Sequence, residues 1–408
     1  MVDKIAPHRP STRSAEKRDR IGEAVLAVLA EHGIGGLTHR RVAQAAGVPI
    51  AATTYHYATK ADMLADAFQR LLDSYLHSFR RMADRHRRGE GDDRTLDDLV
   101  TRLAVNAAGR HRTRTLAWCE LMLDAGRDPA GHALAQRWFA DLERVWGEMA
   151  SLLEGEHVPL GVSAAIDLTI GYLFVVLALG LSGDAVRALR QSVPIETLLP
   201  PGPASSVADG GAESPSTAKA AKAKSAILDS AIDLLVQSGP GAISYRTVAA
   251  GAGVALSAPA YYFGSIEQLI RIAEATLFDA AKERYRETVS ILSKSVLTAD
   301  DVADVTAAVL IREATEYRRA SLAHYSIWLE AARGAALRPE VGDAIVDQAA
   351  GWHRRLRQLA DRPGKSGMDF QALFVGRLVR SLASGASLDS LSNFRKEVRY
   401  LLGKTQDR

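Results

Sequence analysis

The chain is one unit written twice. Sliding the 408-residue sequence against itself by 206 positions gives an ungapped match of 33–64 with 239–270, in which ten of 32 pairs are identical. They include Gly33/Gly239, Arg40/Arg246, Val42/Val248, Gly47/Gly253 and Tyr55/Tyr261. The same offset recurs far downstream, where LDAGR from Leu123 to Arg127 faces LEAAR from Leu329 to Arg333, and Trp146 faces Trp352. A period near 200 residues is a duplicated set of domains, since solenoid repeats run to only about 20–50 residues. Whatever one half folds into, the other must fold into as well. Between the copies, 200–220 opens PPGPASSVADGGAESPSTA and has the composition of a flexible linker. Nineteen such residues span roughly 25 Å as a coil, enough for the halves to lie side by side.

Apolar residues recur at helical spacing within each half. Ile21, Val25 and Leu29 match Ile227, Ala231 and Leu235, and helices are predicted over 60–82, 96–105, 130–153 and 163–181. No alternating strand pattern competes with them, so the fold class is all-α. Glycines at 33 and 239 and prolines at 129, 159, 194, 339 and 363 are read as helix stops. The uncharged stretch 168–182, bracketed by Asp167 and Asp184, is shorter than the roughly 20 residues that cross a bilayer. It reads as a buried helix, with no membrane partner. A single cysteine, Cys119, rules out an internal disulfide, and its apolar helical surroundings mark it as an inert thiol. The first twenty residues carry six basic side chains and no apolar run, so no signal peptide is expected and the location is cytoplasmic. With 51 basic against 48 acidic residues, net charge says little about nucleic acid; its local placement has to decide.

Each copy carries a helix of about 16 residues, a Gly-bearing turn, a short helix, another turn and a second short helix ending in aromatics. Short helices so close together cross steeply. That crossing needs a small residue at the approach and a corner residue tolerant of positive φ, which Ala43 with Gly47, and Ala249 with Gly253, supply. Val48 and Val254 are expected in the core beneath the turn. Thr38 and Ser244 sit where an N-cap belongs, and Arg40 and Arg246 follow in the exposed first turn, where a guanidinium reaches a guanine edge or a phosphate. This is the helix-turn-helix pattern, whose second short helix enters the major groove.

Both segments resemble the DNA-binding domain of the TetR family of transcriptional regulators. The first reads GLTHRRVA from Gly36, AGVP from Ala46 and TYHYATKADML from Thr54; the second reads AISYRTVA from Ala242, AGV from Ala252 and YYFGS from Tyr261. The resemblance implies a ligand-responsive repressor, dimeric through the last two long helices, with DNA-binding heads followed by helical effector domains. It divides the chain into a basic arm (1–14), a first head (15–59) and effector domain (60–199), the linker, then a second head (221–265) and effector domain (266–404). The DNA-binding residues implied are Thr38, His39, Arg40, Ile50, Ala51, Thr53, Tyr55, His56 and Lys60, with Ser244, Tyr245, Arg246, Ser257, Tyr261 and Tyr262 in the second head. Lys60 is the family's phosphate contact at the start of the fourth helix, and Ile266 replaces it in the second copy. Pro259 stands where the first copy has Thr53, so the heads are expected to read different bases. Basic residues ahead of each head, including Lys219, Lys222 and Lys224, are read as flexible arms that follow phosphates.

The last long helix of the first effector domain is almost uniformly apolar, whereas its counterpart carries Arg377 and Arg380. Unlike faces suit an intrachain pseudo-dimer on one asymmetric operator, favoured by tethering; two chains paired through their first copies are the alternative. An apolar or aromatic effector is expected among Trp118, Met122, Trp138 and Phe174, and among Tyr325, Trp328 and Phe374, although core packing alone would also place aromatics there. The sequence contains no HExxH, phosphate-binding GxxxxGK or G-x-S-x-G pattern. No enzyme, cofactor or metal site is therefore expected. A helical sequestering or protein-interaction module with unused heads is the remaining reading of another class.

Overall fold

The structure is a computed structural model in which 12–153, 161–199, 218–292, 298–334, 338–357, 359, 366–386 and 388–402 are described. Among these residues each half carries nine α-helices in the same order, and no strand. The first head is α1 (Thr12–Gly36), α2 (His39–Ala46) and α3 (Ile50–His56); its effector domain is α4 (Lys60–Arg87), α5 (Leu96–Ala108), α6 (Arg112–Ala125), α7 (Pro129–Leu153), α8 (Val162–Leu179) and α9 (Gly183–Arg190). The second half repeats this as α10 (Ala218–Ser238), α11 (Tyr245–Ala252), α12 (Ala258–Phe263), α13 (Ile266–Leu292), α14 (Ala299–Thr315), α15 (Arg318–Ala332), α16 (Arg338–Leu356), α17 (Gly367–Ser384) and α18 (Leu388–Leu401).

Side-chain caps set most of the starts. Thr59 with Asp62, Thr95 with Asp98, Thr298 with Asp301 and Ser366 with Asp369 form reciprocal capping boxes that satisfy free N–H groups. Two expectations about punctuation are corrected. Pro129 and Pro339 lie in the first turns of α7 and α16, so they open helices; a missing N–H costs nothing where none has an intrahelical partner. Pro159 and Pro363 lie outside the described residues. Lys219, Lys222 and Lys224 are on the first turns of α10, because alanine-rich AKAAKAK is strong helix-forming sequence. Most of the first arm and the linker through 217 lie outside the described residues.

The core is continuous across both halves, from Ile21 to Leu402. Its spine is the crossing of α8 over α17. These helices start and end 205 positions apart, one short of the offset relating the heads, which makes Gly171 the counterpart of Gly376 and Asp167 that of Ala372. A Cβ on Gly171 would overlap the Ala372 carbonyl, and one on Gly376 the Asp167 carbonyl. Equivalent residues therefore make equivalent contacts in both directions, and the small residues let the backbones touch. α8 is long and apolar enough to cross a membrane by length and composition, yet 89% of it is buried inside the protein.

The crossing carries buried charge. Asp167, fully buried on α8, pairs with Arg377 Nε at 2.6 Å and Arg380 Nη1 at 3.4 Å from α17. Both arginines also donate to Ser163 Oγ, at 3.2 and 3.1 Å, and pair with Glu397 and Glu143 respectively. Near the other end, Tyr172 donates to Asp369 Oδ1 at 2.7 Å, and Arg190 of α9 pairs with Asp369 and with Asp97 at 2.7 Å. The heads meet at another equivalent pair. A Cβ on Gly35 would lie 3.3 Å from the Gly241 backbone, and one on Gly241 3.0 Å from the Gly35 Cα.

Gly171→Leu is expected to destabilise the chain by about 1–3 kcal/mol or more through overpacking at this crossing. Gly147→Ala, on α7 with open space beyond its Cα, should be neutral or stabilising by up to about 1 kcal/mol. Denaturant unfolding of the two full-length variants measures both.

Candidate nucleic-acid interface and ligand cavity

In the first head, Thr38 Oγ1 accepts from the Arg41 N–H at 3.2 Å and starts α2, while Gly47 at φ 62° turns the chain into α3. The second head repeats both devices: Ser244 Oγ accepts from the Thr247 N–H at 3.2 Å, and Gly253 adopts φ 64°. Cross-links between the short helices also match. His39 Nδ1 bonds Thr53 Oγ1 at 3.1 Å, and Tyr245, at the position equivalent to His39, donates its hydroxyl to the Gly264 carbonyl at 3.2 Å.

Among the described residues the large hydrophobics most open to solvent are Ile50 (50%), Tyr55 (82%), Leu256 (60%) and Tyr261 (82%), together with Leu152. Ile50 and Leu256 are repeat equivalents, as are Tyr55 and Tyr261. Each tyrosine leans edge-on against its neighbour: Tyr55 against His56 with ring centres 5.1 Å apart, and Tyr261 against Tyr262 at 5.0 Å. Ala51, Ser257, Arg40 and Arg246 are exposed beside them. Leu256 was not among the expected residues; its equivalence to Ile50 was the signal that could have found it. An exposed apolar side chain at the entry to a short helix is suited to a thymine methyl, and the adjacent arginines to base edges or phosphates.

Three expected placements change. Thr53 is fully buried, its hydroxyl donating to the Ile50 carbonyl at 2.8 Å, so it braces α3 and cannot reach DNA. Pro259 fills the corresponding buried place in α12 without needing that bond. Lys60 stays exposed, but its Nζ donates to the Ile34 carbonyl at 2.6 Å, near Asp124 and Glu120 of the effector domain. Val48 and Val254 are half-buried against the core edge.

The heads are braced to the effector domains across the repeat boundary. Arg333 of the second half donates Nε to the Ala30 carbonyl of α1 at 2.9 Å and pairs with Glu120, whose Oε2 accepts from the Ile34 N–H at 3.1 Å. A guanidinium there meets the carbonyls left free where α1 breaks at Gly33, φ 62°. In the second half, Glu274 of α13 is buried at the joint with α15. Burial first, and then the neighbouring Glu330, push its carboxyl up to about 7 against the pull of Arg271.

Beside an open cleft of about 850 Å³ lined by α5 and α9, two further cavities lie in the effector domains. The first, about 570 Å³, has Trp118, Trp138 and Ile170 in its apolar part and is walled by α4 through Tyr75 and Phe79. The second, about 360 Å³, is lined by Tyr325, Trp352 and Phe374. His324 also lines it; burial, reinforced by Arg284, pushes this imidazole down to about 3. Met122, Phe174 and Trp328 line neither cavity. Met122 is buried in the core, Phe174 packs edge-on against Tyr325 of the other half with ring centres 5.8 Å apart, and Trp328 lies 5.3 Å from Tyr325 beneath the second cavity's wall. The Cys119 thiol is buried and its pKa raised well above the ordinary value by burial, as expected of an inert group.

Tyr55→Ala and Tyr261→Ala are expected to leave unfolding free energy within about 0.5 kcal/mol, whereas Thr53→Ala should cost about 1 kcal/mol. For Glu274 the raised folded-state pKa means that stability falls as pH rises from about 4.5 to about 7. Glu274→Gln should therefore gain on the order of 1–3 kcal/mol over the parent at pH 8 and nothing at pH 4, measured by urea unfolding at both values.

Comparisons with known proteins bear on these heads and bundles. A family model described as "Bacterial regulatory proteins, tetR family" matches residues 21–67, covering the first head. A second, "Tetracyclin repressor-like, C-terminal domain", matches twice, over 91–194 and 297–404, once in each half. No curated protein matches. Among solved structures, that of multidrug binding protein EbrR complexed with imidazole is 26% identical, covering 50% of this chain and 100% of its own, with a TM-score of 0.34. With the C-terminal model matched in both halves and the head model ahead of the first, the chain belongs to the TetR family of DNA-binding regulators and carries its unit in tandem.

Proposed function

We propose that the chain is an effector-released repressor whose two halves form one intrachain pseudo-dimer, with both heads reading a single asymmetric operator. The observation that carries this reading is the repetition of one exposed set around the short helices of both heads: Ile50, Tyr55 and Arg40 on one, Leu256, Tyr261 and Arg246 on the other. A head out of use would be under no pressure to keep solvent-exposed aromatics. Ala51, His56, Ser257, Tyr262, His39 and Tyr245 flank these sets, and the domain divisions at 59/60 and 265/266 fall just before α4 and α13.

The pseudo-dimer is supported by the α8–α17 crossing, which covers within one chain the apolar face that a separate partner would otherwise have to cover. Gating is supported by α4, which leaves the first head at Lys60 and then walls the cavity that holds Trp118 and Trp138, so a ligand that shifts it also moves the head. Diverged heads read unlike half-sites, so no palindrome is required. Such a protein works where the DNA is, in the cytoplasm, and performs no catalysis.

Light scattering of the chain, free and on a duplex selected from random DNA, tests the reading. One chain per duplex on a non-palindromic site is expected, with Arg40→Ala and Arg246→Ala each weakening binding by about 1–3 kcal/mol. Two chains on a palindrome, with Arg246→Ala silent, would leave the first head as the sole reader.

A further inference from the structure

The cavity of the first half that holds Trp118 and Trp138 is lined by apolar and basic side chains together. Beyond Trp118, Trp138 and Ile170, its wall carries arginines from α4, α5 and the start of α6. Two are already neutralised: Arg85 lies 3.7 Å from Asp92, and Arg102 pairs with Asp93. Arg81 and Arg110 have no carboxylate partner among the described residues; Arg110 Nε donates to the Asn106 amide oxygen at 3.0 Å. His111 adds a further donor beside Arg110 and Arg114. A cationic guest would meet uncompensated positive charge here, and an apolar one would leave it unanswered.

Arg114 connects this wall to the head. From the first turn of α6 its Nη1 donates to Ser74 Oγ on α4 at 3.1 Å, and its Nη2 reaches both oxygens of Glu23 on α1, at 3.0 and 2.9 Å. One guanidinium thus belongs to the cavity and holds the first helix of the DNA-binding head. The second half lacks the device: Ala320 stands at the position equivalent to Arg114, and Asp229 at that of Glu23.

We propose that the first-half cavity takes a hydrophobic carboxylate, whose headgroup competes with Glu23 for Arg114 and so unties α1 from the effector domain. This deepens the effector-gated reading and rests on it. The tail lies on the indoles, the carboxylate is shared by Arg110 and Arg114, and Glu23 returns to water. A half-exposed ion pair is weak enough to be exchanged for a ligand that buries an apolar tail as well. The exchange occurs in one half, so a single effector loosens one head and leaves the other braced.

The full-length chain is titrated with decanoate, decanol and decylamine, followed by tryptophan fluorescence, and each is then tested for release of the selected duplex. Decanoate is expected to bind about tenfold more tightly than the other two, as charge-assisted hydrogen bonds require. Glu23→Gln, at an exposed position, should bind decanoate about two- to fivefold more tightly because the competitor is gone, while its duplex is released less completely. Arg114→Gln should lose the preference for the carboxylate. Equal binding of all three probes, preference for the amine, no binding of any, or unchanged decanoate affinity in Glu23→Gln would each overturn the assignment. Carboxylate-selective binding that tightens in Glu23→Gln without duplex release supports it, and the effector-gated reading fails instead. Duplex release by decylamine with no preference for decanoate overturns the assignment and leaves that reading standing.

Discussion

Everything in this molecule is referred to the place where α8 and α17 touch backbone to backbone. Gly171 and Gly376 let each helix sit against a carbonyl of the other, and no other residue type leaves room for it. So close a crossing admits one register. Buried around it, Asp167 is paired in charge with Arg377 and Arg380, and Asp369 with Arg190 beside the Tyr172 hydroxyl, and these pairings belong to that register. Buried ion pairs add little net stability, because desolvation offsets most of their attraction, but a register that leaves one unpaired is heavily penalised. The crossing therefore sets the relation of the two halves, and the meeting of Gly35 with Gly241 at the heads follows from it.

The two halves share a plan but have diverged around α4 and α13, the helices that leave the heads. In the first, Phe68 packs edge-on against Trp138 with ring centres 6.1 Å apart; the second places a buried carboxyl, Glu274, at the equivalent position of α13. Lys60 becomes Ile266 and Arg114 becomes Ala320. Arg333 reaches from the second half to the end of α1 in the first. One joint is built from aromatic packing and surface ion pairs, the other from a carboxyl kept in its neutral form at low pH. A duplicated chain is free to do this because each joint can change without the other, which a pair of identical subunits cannot.

Much of the heads was legible in the residues. Thr38, Ser244, Gly47 and Gly253 act through their own backbone, and a cap or a left-handed corner needs only its immediate neighbours. What failed to be legible depended on what lies across a gap. Thr53 and Tyr55 are two positions apart on one short helix, yet one is fully buried and the other open to solvent, because α2 covers one side of α3 only. The hydrogen bond from Lys60 Nζ to the Ile34 carbonyl joins residues 26 positions apart, which no local pattern reveals. Aromatic character could not separate Trp118, at a cavity, from Phe174 and Trp328, which support the packing between and within the halves.

The sequence by itself determined the duplication, the all-α class, the helix-turn-helix corners and the family, because repeats, capping residues and glycines of positive φ are local properties of the chain. Only the tertiary structure decided that α8 and α17 cross at paired glycines, that Asp167 is the buried counter-charge to Arg377 and Arg380, and that Arg114 joins a cavity to a head through Glu23. Each of these joins residues tens to hundreds of positions apart. Their contact free energies exist only once the intervening chain has been ordered, so no local pattern carries them.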